Sequence, residues 1–514
     1  MASNAYKYYF RAMSERLKRK ITSYIAVFLL LVFIIGVLNS NIDSTNDNRN
    51  YVIDANEIFD ALKQAKILEA EHEQQYQLTA IILHWQRLSR VQLAVQHYIS
   101  TKYFKEIIVW NNNPEINLTL NEISTNSQSN GLIRIINSKV NVNDEAKYQA
   151  CAEAKTLVCF YADDDWNTSH YLKTLIASFR SDPNVLHSAT NLVTYYNNML
   201  WTFMDSRIDL HAGFSWIGCG SLFLREHAQR HHQLLRMNLR NNPELFAFSD
   251  LFFSIWLNDI PSQMIVDLVP LPKHINESDM PFSSTKNFYS LQHASSVLAI
   301  RKLEYALRLN QLTTNASFPR KQNRRFPYST KSPSSKDDFI FYSNVLPIDI
   351  ENIPFDITLD SDRATYRNVP LGPNYTHFVN YNTLKAVDNN EQTCWRPNGF
   401  VKKGDFFAID FLRIQSHTVF SLIIGHSEQL QSSLKMRVSF DGIWWISHRS
   451  FKHFFMNGNR MPTTNFQRFV IDSRQFPSEL QSFRYVVFNA TQASNEPFQV
   501  CDAQIINSFN VNRK

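Results

Sequence analysis

The chain predicts a mostly parallel α/β sheet domain and then an all-β jelly-roll sandwich, both behind an N-terminal apolar span, on three observations. Between Leu78 and Arg180 short apolar runs alternate with segments of helical periodicity, the pattern of strands and crossover helices in a sheet covered on both faces. From about Asn352 the texture becomes short alternating runs punctuated by turns, as in a sandwich. Ile21 to Leu38 is apolar except at Thr22, Ser23 and Gly36.

That N-terminal run covers about 27 Å as a helix, enough for a bilayer core. Lys7, Arg11, Arg16, Lys18, Arg19 and Lys20 precede it and Asp43 and Asp47 follow it, so the expected topology is a type II anchor with a cytosolic tail. A cleaved signal peptide is the rival reading, against which stand the long apolar core and the lack of a small-residue cleavage site. Most of the net charge of +6 sits in this tail, so the body carries no nucleic-acid footprint. Hydrophobic content of 44% and charged content of 19% are those of a globular protein. The expected divisions are tail 1–20, anchor 21–38, stem 39–76, α/β domain 77–275, helix and basic Pro/Ser linker 276–345, and sandwich 346–514. Sequons at Asn117, Asn276, Asn315, Asn374 and Asn489 agree with a body in the lumen of the Golgi or endoplasmic reticulum. No C-x-x-C occurs among the five cysteines, which leaves zinc ribbons and thioredoxin-like sites unsupported; Cys394 with Cys501 is the expected disulfide.

In chain order, Ala55–Gln75 is weakly helical, Leu78–His84 a strand and Val91–Tyr103 a helix. Glu106–Trp110 is a strand ending in the loop Asn111-Asn112-Asn113-Pro114, and Leu132–Ile136 a third. A helix around Glu145–Ala154 leads into Leu157–Tyr161, a buried strand that stops at Asp163-Asp164-Asp165. Three adjacent carboxylates repel one another, and ligands of open α/β sheets bind outside the carboxyl ends of strands. Strand alternation would aim Asp163 and Asp165 the same way and Asp164 across. That D-x-D arrangement suits Mg²⁺ or Mn²⁺, held by one or two carboxylates plus substrate phosphates. The bland reading is an acidic lead-in to the helix near Tyr171–Arg180.

Phe214–Leu224 contains Gly218-Cys219-Gly220, a step allowing close approach to a ligand or a tight turn at a strand entry. Asp205 and Asp209 precede it, as substrate contacts or as solvated residues. Ser249-Asp250 opens an apolar run; Asp250 is a candidate general base or a helix starter. His227, His231 and His232 lie at helical spacing without a third ligand, which reads as a solvated helix face. Asn258-Asp259 reads as a helix-end loop, Leu291–Leu309 as a helix, and the run holding Arg320, Lys321, Arg324 and Arg325 as solvated linker.

Lys105-Glu-Ile-Ile-Val-Trp-Asn-Asn and Asn137-Ser138-Lys139, followed by a helix and the acidic triplet, resemble blocks of the exostosin-type glycosyltransferase domain over roughly residues 78–275. The resemblance implies a GT-A fold and a UDP-sugar donor. It would set Asn111 and Asn112 beside the nucleotide, Asp163 and Asp165 on the cation, and Asp250 near the anomeric carbon or the acceptor hydroxyl. The triplet here is Asp-Asp-Asp where that family commonly has Asp-Glu-Asp. Further on, Lys385-Ala-Val-Asp-Asn-Asn-Glu-Gln-Thr-Cys-Trp-Arg, Lys403-Gly-Asp-Phe-Phe-Ala-Ile-Asp-Phe and Ser439-Phe-Asp-Gly-Ile-Trp-Trp resemble the discoidin-type galactose-binding fold. There Asp388, Trp395 and Asp410 would be structural and exposed loop aromatics would stack on sugar. The expected function is metal-dependent transfer from a nucleotide sugar to a glycan or glycoprotein acceptor. A membrane-tethered lectin that has lost catalysis is the alternative.

Overall fold

Most strands form where the apolar runs predict them, and one sheet runs from the α/β half into the C-terminal half. The computed structural model describes residues 54–124, 131–205, 207–239, 242–271, 288–309, 328–332, 339–347, 373–425, 432–447, 459–460 and 466–506. The apolar span 21–38 with its basic tail, the sequons at Asn276 and Asn315 and the basic run at 320–325 lie outside these residues. Among the described residues no helix is long and apolar enough to cross a membrane. Ile58–Lys514 forms one compact unit, from which Met1–Glu57 is separate.

The chain begins with α1 (Ala55–Gln75), β1 (Leu78–His84), α2 (Leu88–Thr101), β2 (Phe104–Asn111) and β3 (Ile133–Asn137). Next come α3 (Glu145–Ala152), β4 (Val158–Tyr161), α4 (Leu172–Ser181), β5 (His187–Thr190) and α5 (Leu192–Met199). After these lie β6 (Ser221–Leu224), α6 (Arg225–Leu239), α7 (Ser249–Trp256), β7 (Ser262–Ile265) and α8 (Phe288–Arg308). β1 pairs parallel with β2 and with β4, and β3 continues beyond β2. The strands are apolar almost throughout because both faces are covered. Ala80, Ile82, Ile107, Val109 and Phe160 face a layer with α2 and α4, while Ile81, Ile108, Cys159 and Tyr161 face α3, α6 and α7. β6 runs antiparallel between β4 and β5, so the sheet is mixed. Two residues, Asn258 at φ 50° and Asp209 at φ 59°, sit in the left-handed region, and Asn258 Nδ2 donates to the Asp209 carbonyl at 2.9 Å. Asn258 is thus the helix-end residue expected after α7.

The segment expected to be linker carries two strands, β8 (Tyr328–Lys331) and β9 (Ile340–Ser343). β8 pairs parallel with β7 and antiparallel with β9, which pairs with β10 (Phe406–Ser416). The sheet therefore continues unbroken from the α/β half into the C-terminal half, in the order β12-β14-β10-β9-β8-β7-β5-β6-β4-β1-β2-β3, with β12 Leu434–Ser439 and β14 Ser482–Ala490. Helix α9 (Pro373–Tyr381) precedes β10. A second sheet of β11 (Val419–Gly425), β13 (Phe466–Asp472), β15 (Val500–Ile505) and the short strand Asn459–Arg460 completes a sandwich. Phe411 of β10 meets Phe420 of β11 across it at 5.5 Å between ring centroids. Cys394 and Cys501 form the expected disulfide, and Cys151 with Cys159 a second. Asp388 accepts from Thr393 Oγ1, Trp395 is buried, and Asp410 is paired with Arg484, all structural as the resemblance implies. Asn117 and Asn374 are exposed, whereas Asn489 lies within β14.

Part of the expected stem belongs to the body. His72 Nδ1 lies 3.0 Å from the Arg180 carbonyl and Glu69 Oε1 accepts from the Ile414 N–H at 3.3 Å. Arg484 bridges the two halves: Nε and Nη2 donate to Asp410 at 2.8 and 2.9 Å, and Nη2 also to the Ala177 carbonyl of α4 at 3.3 Å. Removing one partner of such a buried pair strands the other charge. Arg484→Met is expected to lower stability by about 3 kcal/mol, read by thermal unfolding. Arg484→Met with Asp410→Asn should recover much of the loss.

Candidate functional site

The chain runs from β1 outward through β2 and β3, then returns to lay β4 on the other side of β1. Strand order reverses between β1 and β4, and the crevice outside their carboxyl ends is where open α/β sheets take ligands. Arg87 and Arg90 follow β1, and the acidic triplet follows β4.

The triplet does not keep strand alternation. β4 stops at Tyr161, and Trp166 N–H reaches back to the Asp163 carbonyl at 3.5 Å, closing a turn. Asp164 and Asp165 consequently share a side. Arg87 Nη2 donates to Asp164 Oδ1 at 2.6 Å, and Arg87 Nη1 and Arg90 Nη1 donate to Asp165 Oδ1 at 2.8 and 2.6 Å. Asp163 turns away: Tyr161 OH donates to its Oδ1 at 2.6 Å, and its Oδ2 lies against Gly218. A Cβ at Gly218 would stand 2.0 Å from that oxygen. The expectation that Asp163 and Asp165 aim together is thus corrected, because it needs a strand where the chain makes a turn.

A second acidic centre faces the first. Asp250, in the first turn of α7, accepts from Lys147 Nζ at 2.9–3.0 Å and from Tyr148 OH at 2.8 Å. The Lys147 ammonium also lies 4.3 Å over the Tyr161 ring and 3.5 Å from Asp144. Asp250, Lys147, Tyr161 and Asp163 therefore form one continuous chain. Burial pushes Asp164 up to about 7 against the opposing Arg87, and Asp144 up to about 7 against Lys147. Burial also raises Asp163, while Lys147 and the Tyr161 hydroxyl oppose the shift.

Other expected site residues are used by the protein itself. Asn111 is fully buried; its Oδ1 faces His84 Nδ1 at 2.9 Å and its Nδ2 donates to Asn137 Oδ1 at 2.9 Å. Asn112 accepts from Val142 N–H and donates to the Asn143 carbonyl. These amides hold the loops after β2 and β3, so their side-chain hydrogen bonds are made within the protein. Gly220, at φ 110°, enters β6 under Tyr171, whose hydroxyl donates to the Cys219 carbonyl. The close approach that the Gly-Cys-Gly step permits is made here to Asp163 and Tyr171. The histidines are not solvated either. His227 and His231 are buried and His231 Nε2 lies 2.9 Å from Ser249 Oγ, while His232 Nδ1 is 2.7 Å from Glu145. Their spacing puts His227 and His231 on the buried face of α6 with Leu235 and Leu239. Burial pushes His227 down to about 3 and His231 well below its ordinary value. Asp205 is tied to Arg207 by paired hydrogen bonds.

Arg87, Arg90 and Lys147 were not expected. A basic pair directly after the first strand was a signal for the arginines. Lys147 sits in a helix buried on nearly every side, so no polar stripe marked it. Among the described residues no three His, Cys, Asp or Glu side chains gather as a metal site. Magnesium and manganese need only one or two carboxylates beside phosphate and water. Asp165, with 43% of its side chain exposed, fits that donor set; Asp163, held by Tyr161 and Gly218, does not.

No known protein family matches the chain, and no curated protein does. Solved structures with some likeness include CpGH89CBM32-6 produced by Clostridium perfringens, 15% identical over 24% of this chain and 81% of that one, at a TM-score of 0.16. The lectin domain of lectinolysin complexed with Lewis B antigen is 11% identical over 24% and 83%, at 0.17. A Streptococcus pneumoniae fucose binding module, SpX-3, is 13% identical over 24% and 83%, at 0.15. Likeness at that level says nothing about what this chain binds.

With Asp144 and Asp164 raised to about 7, the folded chain keeps protons below about pH 7 that the unfolded chain releases. Between about pH 4 and pH 7 folding therefore takes up protons, and stability falls as pH rises through that window. The thermal midpoint should drop from about pH 5.5 to about pH 8, and Asp164→Asn should flatten the slope. A rising midpoint would contradict the buried acidic cluster.

Proposed function

We propose that the chain transfers a sugar from a nucleotide diphosphate donor, a UDP-sugar by resemblance, to a glycan or glycoprotein acceptor. The observation that carries this reading is the gathering of Asp165, Asp163, Asp250 and Lys147 about the sheet's switch point. Five carboxylates there, Asp144, Asp163, Asp164, Asp165 and Asp250, face the three cations Arg87, Arg90 and Lys147. The exposed Asp165 carboxylate suits a divalent cation, Mn²⁺ or Mg²⁺, as its protein ligand. Such a cation, when bound, offsets charge on a departing diphosphate.

Asp250 is the residue for the acceptor side. A carboxylate has about four acceptor sites, and Lys147 and Tyr148 between them take three. The anion is fixed in direction and can orient a sugar hydroxyl or take its proton. Asp163 shapes the turn and adds negative potential without touching substrate. An N-terminal anchor with the body in the lumen of the Golgi or endoplasmic reticulum belongs to the same proposal. The two disulfides support it, since they form in oxidising compartments.

A second reading, glycan binding by the sandwich, is favoured by one pocket. It is a small surface pocket lined by His377, Tyr381, Trp395, Arg396 and Asn398. Tyr381 is 40% exposed and packs on His377 at 4.9 Å between ring centroids. Aromatic faces beside guanidinium and amide groups suit a sugar ring. This face would hold an acceptor, or be the whole function if catalysis is absent.

Full-length protein supplied with a panel of UDP-sugars, with Mn²⁺ or a chelator, tests the first reading. Release of UDP should require the cation and fall about a hundredfold in Asp165→Ala and in Asp250→Asn, with lower thermal midpoints in both because each removes a carboxylate partner of a buried cation, Arg90 or Lys147. No turnover of any donor, together with glycan binding lost in Tyr381→Ala, would leave only the second reading.

A further inference from the structure

The ion pairs joining the two ends of the switch point are more than a structural clasp. Arg87 sits at the entry to α2, a helix of 14 residues with no side-chain cap on its first turn. Its guanidinium is one-third exposed and forks across two carboxylates from a different strand end, 2.6 Å from Asp164 and 2.8 Å from Asp165. Arg90, one turn further along, is buried and donates to the same Asp165 oxygen at 2.6 Å. A planar fork meeting two adjacent anionic oxygens is the geometry with which arginine grips a phosphate. The Asp164 and Asp165 oxygens thus occupy the place, relative to Arg87, that two phosphate oxygens would take.

We propose that Arg87, backed by Arg90, is the diphosphate-binding residue of the site, and that Asp164 and Asp165 stand in for the diphosphate when no donor is present. Donor binding exchanges one set of anionic partners for another. Asp164 in particular competes with the donor for Arg87, while Asp165, exposed to solvent, is released toward the crevice. The inference rests on the diphosphate-donor reading, though the arginine fork itself makes a narrower claim, recognition of paired phosphates. It also explains why both arginines sit at the N-terminal end of α2: the crevice outside β1 is where the phosphates of a switch-point ligand lie.

The competition gives an unusual expectation. Arg87→Ala should weaken binding of UDP-N-acetylglucosamine and of inorganic pyrophosphate by about tenfold or more, the worth of one charge-assisted bidentate contact. Asp164→Asn should instead tighten both, by about threefold to tenfold, because it removes a rival anion. Calorimetry on the full-length chain, with and without Mn²⁺, reads both effects. Arg87→Lys keeps the charge, loses the fork, and should fall between wild type and Arg87→Ala; it decides the matter should the alanine variant fail to fold. Wild-type affinity in the Arg87 variants, or weaker binding in Asp164→Asn, overturns the inference while leaving a donor-binding chain a transferase candidate. Pyrophosphate bound through Arg87 with no UDP-sugar bound sustains the inference and removes the transferase reading. Binding of neither ligand removes both.

Discussion

The ammonium of Lys147 holds the candidate site together. It is buried in a helix wedged between the sheet and α6, and a charge in that position is tolerated only if paired. Its partners are the carboxylate of Asp250, the nearby Asp144 and the face of Tyr161, whose hydroxyl is bonded to Asp163. Without that cation, Asp163 and Asp250 would be neighbouring buried anions, each raising the proton affinity of the other. The Cys151–Cys159 disulfide fixes the helix that carries Lys147 to the strand that ends in the acidic turn. The two acidic centres are therefore built as one electrostatic unit, with Arg87 closing it on the solvent side and Arg90 buried beneath.

The unbroken sheet gives this unit its setting. An α/β half and a sandwich on a flexible tether would move independently. Here β8 and β9 carry the hydrogen-bond ladder from one half to the other, and α4 packs over both. Its Leu172, Leu175 and Phe179 share a hydrophobic layer with Phe406, Ala408 and Tyr485 of the sandwich. The Arg484–Asp410 pair pins the sandwich to the α4 carbonyl of Ala177. A glycan held at the Tyr381 face would thus lie at a fixed distance from the switch point, a property that suits a module presenting an acceptor.

Elements whose signals are local could be read from the residues alone. Leu78–His84 is apolar on both faces and could only be a covered strand, the D-D-D run had to end its strand, and the alternating runs after Asn352 had to make a sandwich. The Cys394–Cys501 pair was legible as well. Tertiary structure alone decided which charges meet. Asp163 parts from Asp165 because the chain turns at Tyr161, and a turn between strand and helix leaves no period to read. Arg87 and Lys147 reach the aspartates from segments 78 and 103 residues away from their partners in the chain, and Asn111, Asn112 and the histidines are claimed by burial that no spacing announces. The strands β8 and β9 were hidden for a related reason: four residues of polar and apolar mixture become a strand only when neighbouring strands complete their hydrogen bonds.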